Sequence, residues 1–144
     1  MPTYPERVDE AETRRRFESS PVARLATVRP DGAPHAVPVV FAISGDRIYT
    51  AVDHKPKRHQ RLQRLTNLIA EPRCSLLVDH YDHDWSQLWW ARADGVAIIV
   101  DDPEQGGEGR RCLSERYPDH HPTPPNGPLI VIEVRRWVGW TASA

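Results

Sequence analysis

Two tight turns divide the first third of the chain into three short strands rich in Val, Ile and Ala. Residues 29–32 (Arg-Pro-Asp-Gly) and 44–46 (Ser-Gly-Asp) supply the Pro and Gly that sharp reversals need. The strands on either side of these turns are predicted over 22–28, 34–43 and 47–52. Connections this short join antiparallel neighbours, whereas parallel strands need crossovers of about a dozen residues or more. The three strands are therefore predicted to form an antiparallel meander.

Further along the chain, predicted helices and strands alternate with polar loops. Helices are predicted over 8–18, from Pro56 to about residue 70, and over 103–117; strands are predicted over 73–79, 85–100 and 129–140, with a bulge or bend at Asp94-Gly95. We predict a single domain over residues 1–144, with an N-terminal helical segment over 1–20. Its class is mainly β (α+β): about six antiparallel strands in a barrel-like sheet, with two or three short helices.

Charge and cysteine content limit the function by exclusion. The formal net charge of −1 in 144 residues gives no electrostatic support for bulk binding to nucleic acid or membranes, and no apolar run is long enough to span a bilayer. Cys74 and Cys112 show no CxxC spacing, and no apolar secretory signal precedes them. We therefore expect a cytoplasmic protein with free thiols, and no nucleic-acid or membrane partner.

The only two lysines of the chain, Lys55 and Lys57, lie where a helix is predicted to begin. Pro56 is favoured at the first helical position, which would put Lys57 and Arg58 in the first turn. The helix dipole is positive at that end, so each cation costs about 0.3–1 kcal/mol unless something compensates it. A bound phosphate would remove the conflict. The segment therefore indicates a phosphate site, and a solvated basic turn is the alternative.

Several segments resemble the pyridoxamine-5′-phosphate-oxidase-like split β-barrel superfamily. They are ATVRPDGAP at 26–34, Tyr49-Thr50 followed by KPKR at 55–58, Asn67 with EPR at 71–73, and LWWARADG at 88–95. Within the superfamily the chain looks like a branch of actinobacterial oxidoreductases expected to use the deazaflavin coenzyme F420 instead of FMN. The resemblance implies a split β-barrel of the FMN-binding-protein type.

The same resemblance implies a cofactor site. The ring would lie against the second barrel strand at Val37, Pro38 and Val39. The phosphate and oligoglutamate tail would be held by Tyr49, Thr50, Lys55, Lys57, Arg58 and Arg61. Pro38 fits such a place because it donates no hydrogen bond to a ladder, although a sheet edge explains it equally well. FMN-using members tend to carry a basic residue in this strand, where the chain has Val37 and Ala42. That departure favours F420.

The implied activity is hydride transfer from the reduced deazaflavin to a small, electron-poor organic substrate. The cofactor carries this chemistry, so no protein nucleophile or general base is required. The resemblance also implies a homodimer with cofactor sites at the subunit boundary. Two other functions stay open: an FMN-dependent oxidase or flavin reductase, and a non-enzymatic carrier of a cofactor or tetrapyrrole.

Tryptophans and histidines form the remaining clusters. Trp85, Trp89 and Trp90 are candidates for a substrate pocket or a dimer interface, and packing in the core is the alternative. Trp89 and Trp90 are adjacent in a strand and therefore point to opposite faces. The pairs His80–His83 and His120–His121 lack the spacing of a closed zinc site. We expect solvated loops there, and no metal.

Overall fold

The computed structural model describes residues 6–52, 62–119 and 121–142. Twelve elements follow one another along these residues: β1 (Glu6–Val8), α1 (Glu10–Ser19), β2 (Ala23–Val28), β3 (Pro34–Val39), β4 (Ala42–Ser44), β5 (Arg47–Ala51), α2 (Gln63–Ala70), β6 (Arg73–His80), a 3-10 helix (Trp85–Gln87), β7 (Trp89–Val100), α3 (Gly107–Arg116) and β8 (Leu129–Thr141). None of the helices in the described residues is long and apolar enough to cross a membrane.

All eight strands belong to one antiparallel sheet with the order β3-β2-β6-β7-β8-β5-β4, and β1 pairs with the far end of β8. Within the described residues β3 and β4 do not pair with each other, so the sheet is open. The helices pack on it: α1 against β7 and β8, α2 against β2 and β7, and α3 against β4 and β5. The predicted class, an antiparallel split β-barrel of the α+β type, is confirmed.

Two strands exceed the expected six, and both differences have local causes. The predicted strand over 34–43 divides into β3 and β4, because at Phe41 the backbone N–H bonds to Tyr117 Oη (3.3 Å) and takes no place in the ladder. The strand β1 is only three residues long and carries no periodic pattern of its own. The bulge predicted at Asp94-Gly95 is confirmed by a register shift between these two residues.

Residues 85–87 form a 3-10 turn where a strand was predicted. The carboxylate of Asp84 accepts a hydrogen bond from the backbone N–H of Ser86 (3.0 Å) and so caps the turn. The side-chain hydroxyl of Ser86 donates to the same oxygen at 2.7 Å. This local competition by Asp and Ser keeps Trp85 out of β7.

The helix α2 begins later than the sequence pattern predicts. Leu62 has an extended backbone (φ −59°, ψ 143°), and its carbonyl accepts the first helical bond from Leu65 N at 3.0 Å. The first turn of α2 therefore starts at Gln63 and not at Pro56 as predicted, and Lys57 and Arg58 lie outside the described residues. The physical reason lies in burial: short helices are held mainly by an apolar face, and α2 has none before Leu65.

The core joins helix α1 to the inner face of the sheet. Phe17 is fully buried, and its ring meets Phe41 and Trp137 edge to face at centroid distances of 5.0 and 5.5 Å. A buried polar contact sets the position of α2, since Asn67 Nδ2 donates to Thr27 Oγ1 of β2 at 2.9 Å. Removing either partner would leave an unsatisfied buried group, which costs about 1–3 kcal/mol. This contact ties α2 to β2 one turn after the helix begins.

Two glycines of α3 give a stability test with an internal control. A Cβ at Gly109 would overlap the buried ring of Tyr49, whereas a Cβ at Gly107 would meet no atom within 4 Å. Gly109→Ala is expected to lower the free energy of unfolding by about 1–3 kcal/mol through overpacking. Gly107→Ala is expected to raise the free energy of unfolding by about 0.4–1 kcal/mol, because alanine lowers the conformational entropy of the unfolded chain. Urea midpoints measure both, and a Gly109→Ala protein as stable as Gly107→Ala would contradict the packing of Tyr49 on α3.

Candidate functional site

A cavity of about 250 Å³ lies where the end of β3, the end of β5 and the start of α2 meet. Its lining residues are Pro38, Val39, Val40, Thr50, Ala51, Arg64 and His121. In the sheet order β3 is the last strand at one end and β5 the second strand from the other. The cavity, called the ligand cavity below, therefore lies at the opening of the split barrel.

One wall of the ligand cavity is apolar and belongs to an edge strand. Pro38 is exposed and Val39 is buried, and β3 has β2 as its only partner in the described residues. Pro38 lies on a sheet edge, which is the alternative reading, and it also lines the cavity; its contact with a cofactor ring stays a prediction. This wall offers a flat apolar surface without a donor at Pro38.

The opposite wall carries a cation that is partly removed from water. Arg64 lies in the first turn of α2, where there is no acidic residue, and burial lowers the pKa of its guanidinium. Among the described residues no carboxylate pairs with it. Loss of hydration and the positive end of the helix dipole both disfavour a cation at this position. A bound anion would offset both effects. Sequence reasoning missed Arg64 because it assigned an earlier start to the helix.

Thr50 and His121 complete the polar lining. Thr50 is only 2% exposed and ends the buried stretch of β5. His121 is 5% exposed; its backbone N–H donates to the Tyr117 carbonyl at 2.7 Å, and its carbonyl accepts from Ser114 Oγ at 2.7 Å. The expected solvated loop is therefore wrong for His121, and no local sequence signal distinguishes this buried position. His120 lies outside the described residues.

The structure brings some of the predicted cofactor residues together and separates others. Pro38, Val39 and Thr50 line the ligand cavity, whereas Val37 packs partly buried against the main core. Tyr49 faces the other way along β5, towards α3, where its hydroxyl donates to Glu108 Oε2 at 3.2 Å. Burial raises the pKa of Tyr49. Two hydrogen bonds lower the pKa of Glu108: the larger effect comes from Ser44, and the smaller from Tyr49. Four predicted basic residues lie outside the described residues: Lys55, Lys57, Arg58 and Arg61.

The tryptophans gather around a second cavity of about 400 Å³, called the aromatic cavity below. It is lined by Leu77, Asp79, His80, Tyr81, Leu88, Trp89, Trp90, Arg92 and Trp140. Trp89 and Trp90 both line this cavity, although adjacent residues of a strand were expected to point to opposite faces. Trp89 is the first residue of β7 and also packs against the main core. The ring of His80 stacks on Trp89 with centroids 6.0 Å apart. Trp85 does not line the cavity and is 70% exposed.

In the described residues, neither the two cysteines nor the histidines form a further reactive centre. Cys74 and Cys112 are free, and burial together with the charge of Asp94 raises the pKa of the Cys74 thiol to about 12. A thiol with this pKa is almost entirely protonated at neutral pH and is a poor nucleophile. Within residues 6–52, 62–119 and 121–142, no three His, Cys, Asp or Glu side chains converge to hold a metal ion.

Nearly the whole chain, residues 9–141, matches the protein-family model for pyridoxamine 5′-phosphate oxidase. The chain belongs to this family. Membership supports an oxidoreductase role with a flavin-type cofactor, which agrees with a cavity that has an apolar wall and a cationic one. No protein with a curated description matches the sequence of this pyridoxamine 5′-phosphate oxidase family member.

Solved structures share the fold. A conserved hypothetical protein of Mycobacterium tuberculosis is 28% identical with a TM-score of 0.74, over 94% of this chain and 86% of that protein. An F420 reductase is 27% identical with a TM-score of 0.60, over 83% of this chain and 90% of that one. An FAD-binding protein of Mesorhizobium loti is 21% identical with a TM-score of 0.74, over 98% of this chain and 100% of that protein, and is similar in fold alone.

Arg64, with which no carboxylate of the described residues pairs, makes a prediction about anions. Arg64→Met keeps most of the side-chain length but removes the charge, so the melting temperature without added anion should be unchanged or higher. The extra stabilisation by inorganic phosphate, measured against sodium chloride of equal ionic strength, should fall. Arg73→Met is the control, because Arg73 is 80% exposed and pairs with Glu71 outside the cavity. An equal loss in both variants would mean that phosphate acts on the whole surface.

Proposed function

We propose that this protein is an F420-dependent reductase, which transfers a hydride from the reduced deazaflavin to a small, electron-poor organic substrate. The observation that carries the proposal is the ligand cavity, where the apolar wall of Pro38, Val39 and Val40 faces the half-buried Arg64. A planar ring with an anionic tail needs these two surfaces side by side. The cavity volume is slightly below the range of about 300–1,000 Å³ typical of ligand sites, which fits a ring more than a whole coenzyme.

The basic segment supplies a place for the rest of an anionic tail. Residues 53–61 contain four of the predicted ligands, and both ends of the segment are covalently attached at the cavity: Val52 follows the lining residue Ala51, and Leu62 precedes α2 and Arg64. We propose that Lys55, Lys57, Arg58 and Arg61 bind the phosphate and oligoglutamate groups.

Two observations favour F420 over FMN. The strand β3 (Pro34–Val39) contains no Lys or Arg, so the strand that lines the cavity offers no cation to a short phosphate tail. The similarity of 27% to an F420 reductase extends over 83% of the chain. An FMN-dependent flavoprotein and a non-enzymatic cofactor or tetrapyrrole carrier are therefore outcomes that the binding experiment distinguishes.

When bound, a reduced deazaflavin supplies the hydride. The protein's own residues bind and orient it. Val39 and Val40 exclude water from one face of the cavity, and Thr50 and Arg64 offer donors to ligand oxygens. No described side chain of the cavity is required to act as a nucleophile. The site is proposed to work in the cytoplasm, in agreement with two free cysteines.

Fluorescence of the oxidised coenzyme tests the proposal directly. Wild-type apo-protein should quench it with micromolar or tighter affinity. Lys57→Ala and Arg64→Met should each weaken binding about 10-fold or more, because a hydrogen bond to a charged group is worth about 1.5–3 kcal/mol. Arg73→Met is the matched control and should bind as the wild type does.

The same preparation separates the alternatives. A protein that is yellow as purified, with tightly held FMN, would establish the FMN-dependent reading. A haem absorption band with no quenching of F420 would establish a tetrapyrrole carrier. A coenzyme that binds but never reduces any quinone or nitroaromatic acceptor would reject the reductase and retain a carrier.

We also propose that a second copy of the chain covers the outer face of the sheet beside the aromatic cavity. Large apolar side chains stay uncovered there, with Leu77 37% and Tyr81 69% exposed. Across the sheet Leu77 is next to Arg24, and Arg24 is next to Pro38. Neighbouring strands are about 4.8 Å apart, so this face lies about 10 Å from the ligand cavity. A partner on it would place both cofactor sites at the subunit boundary.

Sedimentation equilibrium tests the dimer. Leu77→Lys is expected to shift the protein towards monomer, since a charge in an apolar interface loses hydration without gaining a partner. Ile98→Lys is the control, because Ile98 is 63% exposed on β7 but lies outside the aromatic cavity. A wild-type monomer at tens of micromolar protein would reject the proposed dimer.

A further inference from the structure

Arg110 of α3 is a buried cation that is satisfied entirely by backbone. It is 3% exposed, and its guanidinium donates five hydrogen bonds. Nε binds the Gln105 carbonyl at 2.8 Å, Nη1 binds Pro125 and Gly127 at 2.8 and 2.6 Å, and Nη2 binds Val100 and Asp102 at 3.1 and 3.2 Å. A guanidinium has five N–H donors, so all of them are used.

The five carbonyls belong to two separate stretches of chain. One is the end of β7 with the loop that leads to α3. The other is the segment 121–128, called the proline loop here, which contains Pro122, Pro124, Pro125 and Pro128. The planar guanidinium of Arg110 has a fixed geometry and binds both stretches, so it holds the proline loop at a set distance from the sheet. Arg110 itself does not line the ligand cavity.

The proline loop contributes one residue, His121, to the lining of the ligand cavity. Its first residue, His121, is tied to α3 by the carbonyl of Tyr117 and the hydroxyl of Ser114. Its last residue, Pro128, accepts a hydrogen bond from Val52 N at 3.0 Å, immediately after the cavity residues of β5. The loop therefore connects α3 to β8, its last residue contacts the chain just after β5, and Arg110 anchors it between its two ends.

We propose that His121 is a ligand-binding residue of the cavity and that Arg110 is the positioning residue that holds it there. The assignment of F420 as the ligand rests on the function proposed above. His121, Arg64 and Thr50 surround one space, and each can donate a hydrogen bond. The ligand part that fits is a group of hydrogen-bond-accepting oxygens, either a phosphate or the carbonyl oxygens of a ring.

Burial lowers the pKa of the Arg110 guanidinium and the nearby charge of Asp102 raises it, while five carbonyls from two stretches of chain accept its hydrogen bonds. A lysine has three donors on a flexible stem and cannot satisfy five fixed acceptors. Arg110→Lys therefore leaves carbonyls of the proline loop unbound and loosens the position of His121. Arg64, on α2, is not held by this loop.

The test is a double-mutant cycle on coenzyme binding, measured by fluorescence quenching. His121→Ala should weaken binding about 2- to 10-fold, the range for one neutral hydrogen bond. In an Arg110→Lys background, His121→Ala should have little further effect, whereas Arg64→Met should retain its full effect. If His121→Ala weakens binding by its full factor in the Arg110→Lys background, as Arg64→Met is expected to do, the positioning role is overturned. His83→Ala, an exposed loop histidine outside the cavity, is the control for His121.

Ser114→Ala keeps the proposal testable if Arg110→Lys does not fold. It removes only the 2.7 Å bond to the His121 carbonyl and should also weaken binding. Ser19→Ala is its matched control, since Ser19 Oγ makes the same kind of bond to the Arg16 carbonyl at 2.9 Å on α1. If neither His121→Ala nor Ser114→Ala changes the affinity, the role of His121 is rejected.

Two ligand arms locate the contact. A loss confined to inorganic phosphate and the whole coenzyme assigns His121 to the phosphate, and a loss that includes a phosphate-free deazaflavin assigns it to the ring. Failure of the wild type to bind any of the three probes rejects the proposed function. Wild-type binding that all His121 and Ser114 variants retain rejects this further inference alone.

Discussion

The rest of the sheet depends on the pairing of β7 with β8. The two strands pair from Trp89 with Thr141 to Val100 with Leu129, apart from one bulge after Asp94. The other edge of β7 pairs with β6. On β8, β5 pairs with the first residues and β1 with the last. A bulge bends a strand and increases its twist. The bent pair directs β5 towards the edge strand β3, and the ligand cavity lies where the two approach each other.

Features that depend on neighbouring residues were predictable from the sequence. Gly32 and Gly45 adopt the positive φ values (90° and 59°) that tight reversals require, and each turn joins an antiparallel pair as predicted. The predicted three-stranded meander is wrong, because β3 and β4 lie at opposite ends of the sheet. The bulge at Asp94 and the long final strand also follow from local composition. Of the segments that carried the family resemblance, 26–34 and 88–95 contain parts of β2 and β7, whereas Asn67 lies in α2 and residues 55–58 lie outside the described residues.

The features that escaped prediction depend on contacts distant in the chain. The start of α2 is set by where its apolar face meets the sheet, and the bond between Asn67 and Thr27 spans 40 residues. His121 is buried through α3, which a polar, proline-rich stretch does not reveal. The predicted helix start at Pro56 is wrong, and the cation in the observed first turn of α2 is Arg64. Lys57 and Arg58, to which the sequence pattern pointed, lie outside the described residues.

The open sheet has two ends, and each is unsuited to extension by another chain. The end at β3 carries Pro34 and Pro38, which present no N–H to an incoming strand, and the end at β4 is only three residues long. Pro38 therefore combines two duties, as a cavity wall and as a guard against edge-to-edge aggregation. Replacing Pro38 to widen the cavity would add a backbone N–H to the exposed edge of β3. A variant made in this way to accept more substrates is therefore expected to tend towards fibre formation.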